Sequence, residues 1–193
     1  RRNFEGIPDL FRFAQEKGLN EIEFLRLKPT GRGGPGYDHE KTTFEQNIQL
    51  ASLLAGLSEE HGLTAKIDCS FIPMLCYHHP PRELLEKMAA YGCEAGNVLL
   101  GVKSNGSVCG CSFLPETGLT VSDLKEVWKT DAHLGALRGW DRHAPEPCSE
   151  CEYVDLCKGG CHAVSLHVLG TLGAPDPDCP IVVQWQRERR DYA

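Results

Sequence analysis

The chain has no apolar run approaching the roughly eighteen residues that a bilayer-spanning helix needs, so no segment of it reads as a membrane span. Its opening residues, "RRNFEGIPDL", lack the apolar core of a secretory signal. They also lack an initiating Met, so the sequence is expected to be a fragment or a processed product. Positive charge is not in surplus. The formal net charge of -7 over 193 residues argues against nucleic acid or an anionic membrane surface as the main partner. No internal repeat is visible, and residues 1–68 contain no cysteine.

What is present is cysteine, and it is crowded. All ten fall between Cys69 and Cys179, a compositional shift that suggests a domain boundary. Without a secretory signal, a reducing, cytoplasmic setting is expected, where so many thiols point to metal rather than to disulfides.

The cysteine-poor part alternates helix and strand. Ile7, Leu10, Phe11 and Ala14 repeat as one helix face that should end near Gly18. "EIEFLRL", 21–27, reads as a strand covered on both faces, and "KPTGRGGPG" as a long loop. Thr43 and Gln46 form a capping box before a helix with Leu50, Leu53, Leu54 and Leu57 on its apolar side. "LTAKIDCSF" returns to strand, and Pro80–Pro81 opens a short helix with Leu84, Leu85 and Met88. This is parallel α/β logic, but two strands do not make a stable parallel sheet. The pattern looks like the last portion of a larger (β/α) barrel or sheet.

From about residue 92 the texture changes. "NVLLGVKSNGSVCGC" reads as a hairpin turning at Asn105-Gly106. Residues 122–138 read as one helix with Leu124, Val127, Trp128 and Leu134 facing a core, and 161–169 as a short helix. "GTLGAPDPDCP" is a turn-rich return, and "WQRERRDYA" a solvated charged end.

The densest stretch is "CSECEYVDLCKGGCHA", 148–163. Cys148 and Cys151 make one chelating knuckle. Cys157 and Cys161 are too far apart to be a second standard one. Zinc, disulfides and an iron–sulfur cluster are all open at this point. Uneven spacings and a remote Cys179 suit the larger [4Fe–4S] group better, with Gly159 and Gly160 letting backbone approach an inorganic sulfide. Cys93 and Cys111 bracket the hairpin and supply half of a second site. Cys109 lies on the same face as Cys111 if the strand is regular. So many ligands imply two centres.

Written out, Cys93-x12-Gly106-x4-Cys111, Cys148-x2-Cys151-x5-Cys157-x3-Cys161 and then Cys179 resembles the seven-cysteine signature of SPASM domains. These are C-terminal extensions of radical S-adenosylmethionine (SAM) enzymes that modify peptides and proteins. "IEFLRLKPTGRG" likewise resembles a late strand and loop of the radical SAM barrel. The resemblance implies an α/β fold in which residues 1–91 are the terminal portion of a partial (β/α) barrel. Residues 92–185 would then be a cysteine-rich α+β SPASM domain with a β-hairpin and short helices, and 186–193 a charged tail. It implies two auxiliary [4Fe–4S] clusters. Cys148, Cys151, Cys157 and Cys179 would hold the distal one, and Cys93, Cys111 and Cys161 the proximal one. The fourth proximal ligand is not given by the motif, and Cys109, Cys76 and Cys69 are candidates.

The sequence departs from the family in one respect. It has no Cys-x3-Cys-x2-Cys spacing, which SAM cleavage requires. SAM and a third [4Fe–4S] cluster are therefore expected in a missing N-terminal barrel segment or subunit, and this chain alone is not expected to cleave SAM. A peptide or protein substrate and an electron donor such as flavodoxin or ferredoxin are the expected partners. Arg26, Lys28 and Arg32 sit at a strand end, where α/β folds place ligands, and are candidates for contacting SAM or substrate. Asp68, at the end of the next strand, is a candidate substrate contact or general base. The competing reading is a zinc-binding structural or peptide-interaction module without catalysis.

Overall fold

The structure, a computed structural model, describes residues 1–191. Residues 192–193 of the expected tail, and the side chains of Val127 and Asp191, lie outside the described residues.

Helix α1 (Ile7–Glu16) turns Ile7, Phe11 and Ala14 inward, as the spacing predicts, and Pro8 occupies its first turn without wasting a hydrogen bond. Strand β1 (Glu21–Phe24) follows, then the Gly/Pro loop, and directly after it a one-turn helix α2 (Tyr37–Glu40) that the sequence reading lacks. Helix α3 (Phe44–His61) starts at the expected capping box. The Gln46 N–H donates to Thr43 Oγ1 at 3.2 Å, and the Thr43 N–H donates to Gln46 Oε1 at 3.1 Å. Its Leu50, Leu54 and Leu57 join Phe4, Phe11 and Phe71 in one apolar core.

Strand β2 (Thr64–Ile67) pairs in parallel with β1, Glu21 opposite Thr64 and Phe24 opposite Ile67. Ile22, Phe24, Ala65 and Ile67 pack onto that core, while Glu21 and Lys66 form a 2.7 Å ion pair on the other face. The sheet is thus covered on one face rather than two. Both "EIEF" and "TAKI" alternate, and strand geometry ends before Leu25, which is 70% exposed.

After β2 come α4 (Ile72–Cys76) and α5 (Arg82–Lys87). The hairpin is short: β3 (Gly101–Val102) pairs antiparallel with β4 (Val108–Cys109). The helix expected over 122–138 is two, α6 (Leu124–Val127) and α7 (Ala132–Arg138). Asp131 restarts it by accepting the Leu134 N–H at 2.8 Å. Three more helices follow: α8 (Val154–Cys157), α9 (His162–Leu169) and α10 (Pro180–Asp191). The residues expected as a charged end, up to 191, are therefore the last turns of α10, which packs against α3 and α4. Among the described residues the strands form two two-stranded sheets, a mixed α/β arrangement without a closed barrel. No helix among them is long and apolar enough to cross a membrane.

Candidate metal centres

Four of the motif cysteines meet. Cys148, Cys151, Cys157 and Cys179 wall one cavity whose other sides are largely apolar: Pro147, Val154, Ile181 and Val182. A tight turn at Cys148–Glu150 and the single turn of α8 present the first three, and Cys179 stands directly before Pro180 at the start of α10. Burial pushes the Cys148 thiol up to about 12. A hydrogen bond with Cys76, together with burial, raises Cys157 well above its ordinary value, and burial does the same to Cys179. These thiols are costly to ionise by themselves, and a bound cationic centre would offset that cost.

The donor set is all sulfur. Among the described residues, no three His, Cys, Asp or Glu side chains gather closely enough to hold a single metal ion. The four thiols line one cavity and offer sulfur alone, a donor set that suits an iron–sulfur cluster or a four-cysteine zinc ion.

The other three motif cysteines come together beside this cavity. Cys161 is buried, and Cys93 and Cys111 pack against the same apolar group of Ala95, Leu114, Leu137 and Val164. Cys93, whose thiol burial pushes up to about 12, is set in place by Gly92. The Gly92 N–H donates to Leu156 O at 2.9 Å, and a Cβ there would lie 1.9 Å from the Cys157 carbonyl oxygen. The two sites therefore sit back to back, and glycine is required where they touch. Cys161 begins α9, and its N–H donates to Asp176 Oδ2 at 3.0 Å.

The further thiols separate. Cys76 lines the cavity of the four. Cys109 is fully buried and donates to Gly101 O at 3.4 Å. It does not share a strand face with Cys111, because β4 ends at Cys109. Cys69 is exposed. Packing also requires Gly159 and Gly160 to lack a side chain. Both have positive φ, and the space of a Cβ is filled by Trp140 at Gly159 and by Asp176 and Pro73 at Gly160. Packing sets these glycines.

The strand-end residues lie where expected but turn inward. Arg26 donates to Asp176 Oδ2 at 2.5 Å and Oδ1 at 2.9 Å, to Asp178 Oδ2 at 2.8 Å and to Ser70 O at 2.9 Å. Burial works against its charge, and Asp176 and Asp178 more than restore it. Asp178 also accepts from Tyr37 Oη at 2.7 Å and Lys41 Nζ at 2.6 Å. Lys28 is buried on Asp68 at 2.9 Å and Ser70 Oγ at 2.6 Å. Asp68 further caps the turn at Cys69–Phe71. Arg32 is exposed and, with Leu27, Lys28, Phe71 and Phe113, lines a wide cleft. Sequence reasoning missed Asp176 and Asp178. "PDPDCP" reads as a turn, and the available signal was two acids beside a cysteine expected to be a ligand.

The chain is 28% identical over 186 residues to mycofactocin maturase MftC of Mycobacterium tuberculosis, covering 93% of the chain and 44% of MftC. It is 26% identical over 187 residues to the PqqA peptide cyclase of Gluconobacter oxydans, covering 94% of the chain and 49% of the cyclase. The crystal structure of Streptococcus suis SuiB bound to S-adenosylmethionine superimposes with a TM-score of 0.63 at 19% identity. That match, over 93% of this chain and 43% of SuiB, is a likeness of fold. No protein-family model matches. The chain spans about half the length of the curated relatives it matches. At low identity and over part of their length, it is homologous to radical SAM/SPASM proteins.

Proposed function

We propose that this chain is the auxiliary-cluster portion of a radical SAM enzyme that modifies a peptide or protein. In this reading Cys148, Cys151, Cys157 and Cys179 hold a distal [4Fe–4S] cluster, and Cys93, Cys111 and Cys161 hold a proximal one. Residues 92–185 then serve as the SPASM-type domain. The observation that carries the reading is the division of seven cysteines into two adjoining groups, four around one cavity and three packed together beside it. Their order in the chain does not follow this division. Cys157 and Cys161 are three residues apart in sequence spacing yet belong to different groups.

When bound, such clusters supply one-electron storage and transfer, and an iron that can anchor a substrate. The chain's own residues keep the sites dry and placed. Val154, Ile181 and Val182 exclude water from the distal cavity, Gly92 holds the two sites against each other, and Asp176 fixes the backbone of Cys161. Arg32, Leu27 and Phe113 line the open cleft and form the face toward substrate or SAM. SAM cleavage is assigned to a barrel segment or subunit outside this sequence, since no Cys-x3-Cys-x2-Cys spacing occurs within it. Electrons would come from a small donor protein of the flavodoxin or ferredoxin kind.

Metal and sulfide analysis of the chain purified without oxygen tests the reading. It should contain about eight iron and eight acid-labile sulfide per chain. Stoichiometric zinc without sulfide would overturn it in favour of a structural zinc module. Reductive SAM cleavage should occur when an upstream barrel segment is supplied, and not without one.

A further inference from the structure

We propose that Cys69 is the fourth thiolate of the proximal cluster, completing Cys93, Cys111 and Cys161. This rests on the two-cluster reading above and goes beyond the seven-cysteine motif.

Cys69 is the first residue of the turn that follows β2, and two short series of contacts tie that turn to the proximal group. On one side, Lys28 Nζ donates to Asp68 Oδ2 at 2.9 Å and to Ser70 Oγ at 2.6 Å, gripping the residues before and after Cys69. The same ammonium lies 5.7 Å from the centre of the Phe113 ring, and the Phe113 N–H donates to Cys111 Sγ at 3.4 Å. On the other side, Arg26 donates to Ser70 O at 2.9 Å and to Asp176 Oδ2 at 2.5 Å. That carboxylate oxygen also accepts the Cys161 N–H at 3.0 Å. The residues flanking Cys69 are thus tied to the Cys111 loop through one cation and to the Cys161 backbone through the other.

The two other candidates are engaged elsewhere. Cys76 lines the distal cavity together with Cys157. Cys109 is fully buried against the Gly101 carbonyl, where a Cβ on Gly101 would come within 2.6 Å of its sulfur. Cys69 alone of the three is exposed, next to Phe71 of the cleft wall. Ligation by Cys69 would place the fourth thiolate on a residue that solvent reaches. Removing this thiolate would open its iron to outside ligands.

The test uses the full chain reconstituted without oxygen, as wild type, C69A, C69S, C76A and C109A. After mild ferricyanide oxidation, C69A should lose about one iron per chain and show a three-iron EPR signal that wild type, C76A and C109A do not. C69S, which keeps an oxygen ligand, should lose less iron. Cyanide should change the EPR spectrum of reduced C69A and leave that of wild type unchanged. A second measurement needs no variant. In the wild-type chain with clusters intact, iodoacetamide should leave Cys69 unmodified despite its exposure, because its sulfur is bound. The proposal is overturned if C69A matches wild type, if C109A or C76A gives the three-iron signal instead, or if Cys69 is alkylated while iron content is unchanged. A wild-type chain without iron and sulfide would instead overturn the two-cluster reading, and this proposal with it.

Discussion

Arg26→Met is the substitution that probes the structure most directly. The Arg26 side chain is 4% exposed, and those of Asp176 and Asp178 are 0% and 8% exposed. Met replaces the guanidinium with an apolar chain of similar length and strands whatever charge has no other partner. Asp178 keeps Lys41 and Tyr37. Asp176 keeps only the backbone N–H groups of Cys161 and Asp178, each at 3.0 Å, and no cation. Removing one partner of a buried ion pair costs about 3–5 kcal/mol, because the remaining charge is left unpaired. With a urea dependence of about 2 kcal/mol per M, the unfolding midpoint of the reconstituted chain should fall by about 1.5–2.5 M. Asp176→Asn alone should cost a comparable amount, since it breaks the two-pronged contact and turns an amide donor toward a backbone N–H. The double variant no longer buries a lone charge, so its loss should fall short of the sum of the singles by at least about 2 kcal/mol. If the two losses add to within about 0.5 kcal/mol, or if Arg26→Met moves the midpoint by less than roughly half a molar, the buried pair is not what joins the strand ends to the cysteine-rich part.

Gly159→Ala places a methyl 2.3 Å from Trp140 Cη2 at a φ of +75°. The overlap and the left-handed backbone together should cost about 2–4 kcal/mol, seen as a lower midpoint and faster iron loss from the distal site. Thr43→Ala removes the capping hydrogen bond of α3 and should lower stability by about 1 kcal/mol in the same urea titration, with iron content unchanged. The metal-free chain should lose stability in alkali. The Cys93 and Cys148 thiols are raised from an ordinary 9.0 to about 12, so their neutral forms favour the folded state fully below pH 9. That contribution disappears as the pH rises toward 12, which thermal melts of metal-free chain across this window would reveal. In the reconstituted chain the thiolates are already formed, and no such decline should be seen over the same range; equal declines would argue that these thiols are not ligands.

Local signals carried the regular elements. A capping box, a three-four apolar repeat and an alternating "TAKI" are each complete within a few residues, and α1, α3 and β2 form where they stand. The extent of β1 was misjudged because Leu25 and Leu27 continue an apolar run, yet a two-stranded sheet offers them no second layer to bury against. The break between α6 and α7 was present in the sequence as Asp131, a cap inside an otherwise helical pattern. Cysteine spacing singled out seven positions, and the fold gathers them into a group of four and a group of three. Spacing could not select among Cys69, Cys76 and Cys109. That choice depends on which strand end folds against which loop, over separations such as the 150 residues between Arg26 and Asp176.

Those long contacts also give the run at 148–163 its logic. Asp176 accepts the Cys161 N–H, and its own N–H donates to Gly159 O at 2.9 Å. Its carbonyl accepts the Cys179 N–H at 3.1 Å. One residue therefore binds the backbone of a proximal cysteine, a distal cysteine and the glycine turn between Cys157 and Cys161. Its charge also bears on the thiols of both groups, raising Cys148, Cys157, Cys161 and Cys179 alike. A lone carboxylate at that point would oppose every thiolate around it. Arg26 removes the objection. The strand end that α/β folds commonly open to ligands is closed inward here, so that a fixed, neutralised carboxylate stands between the two cysteine groups.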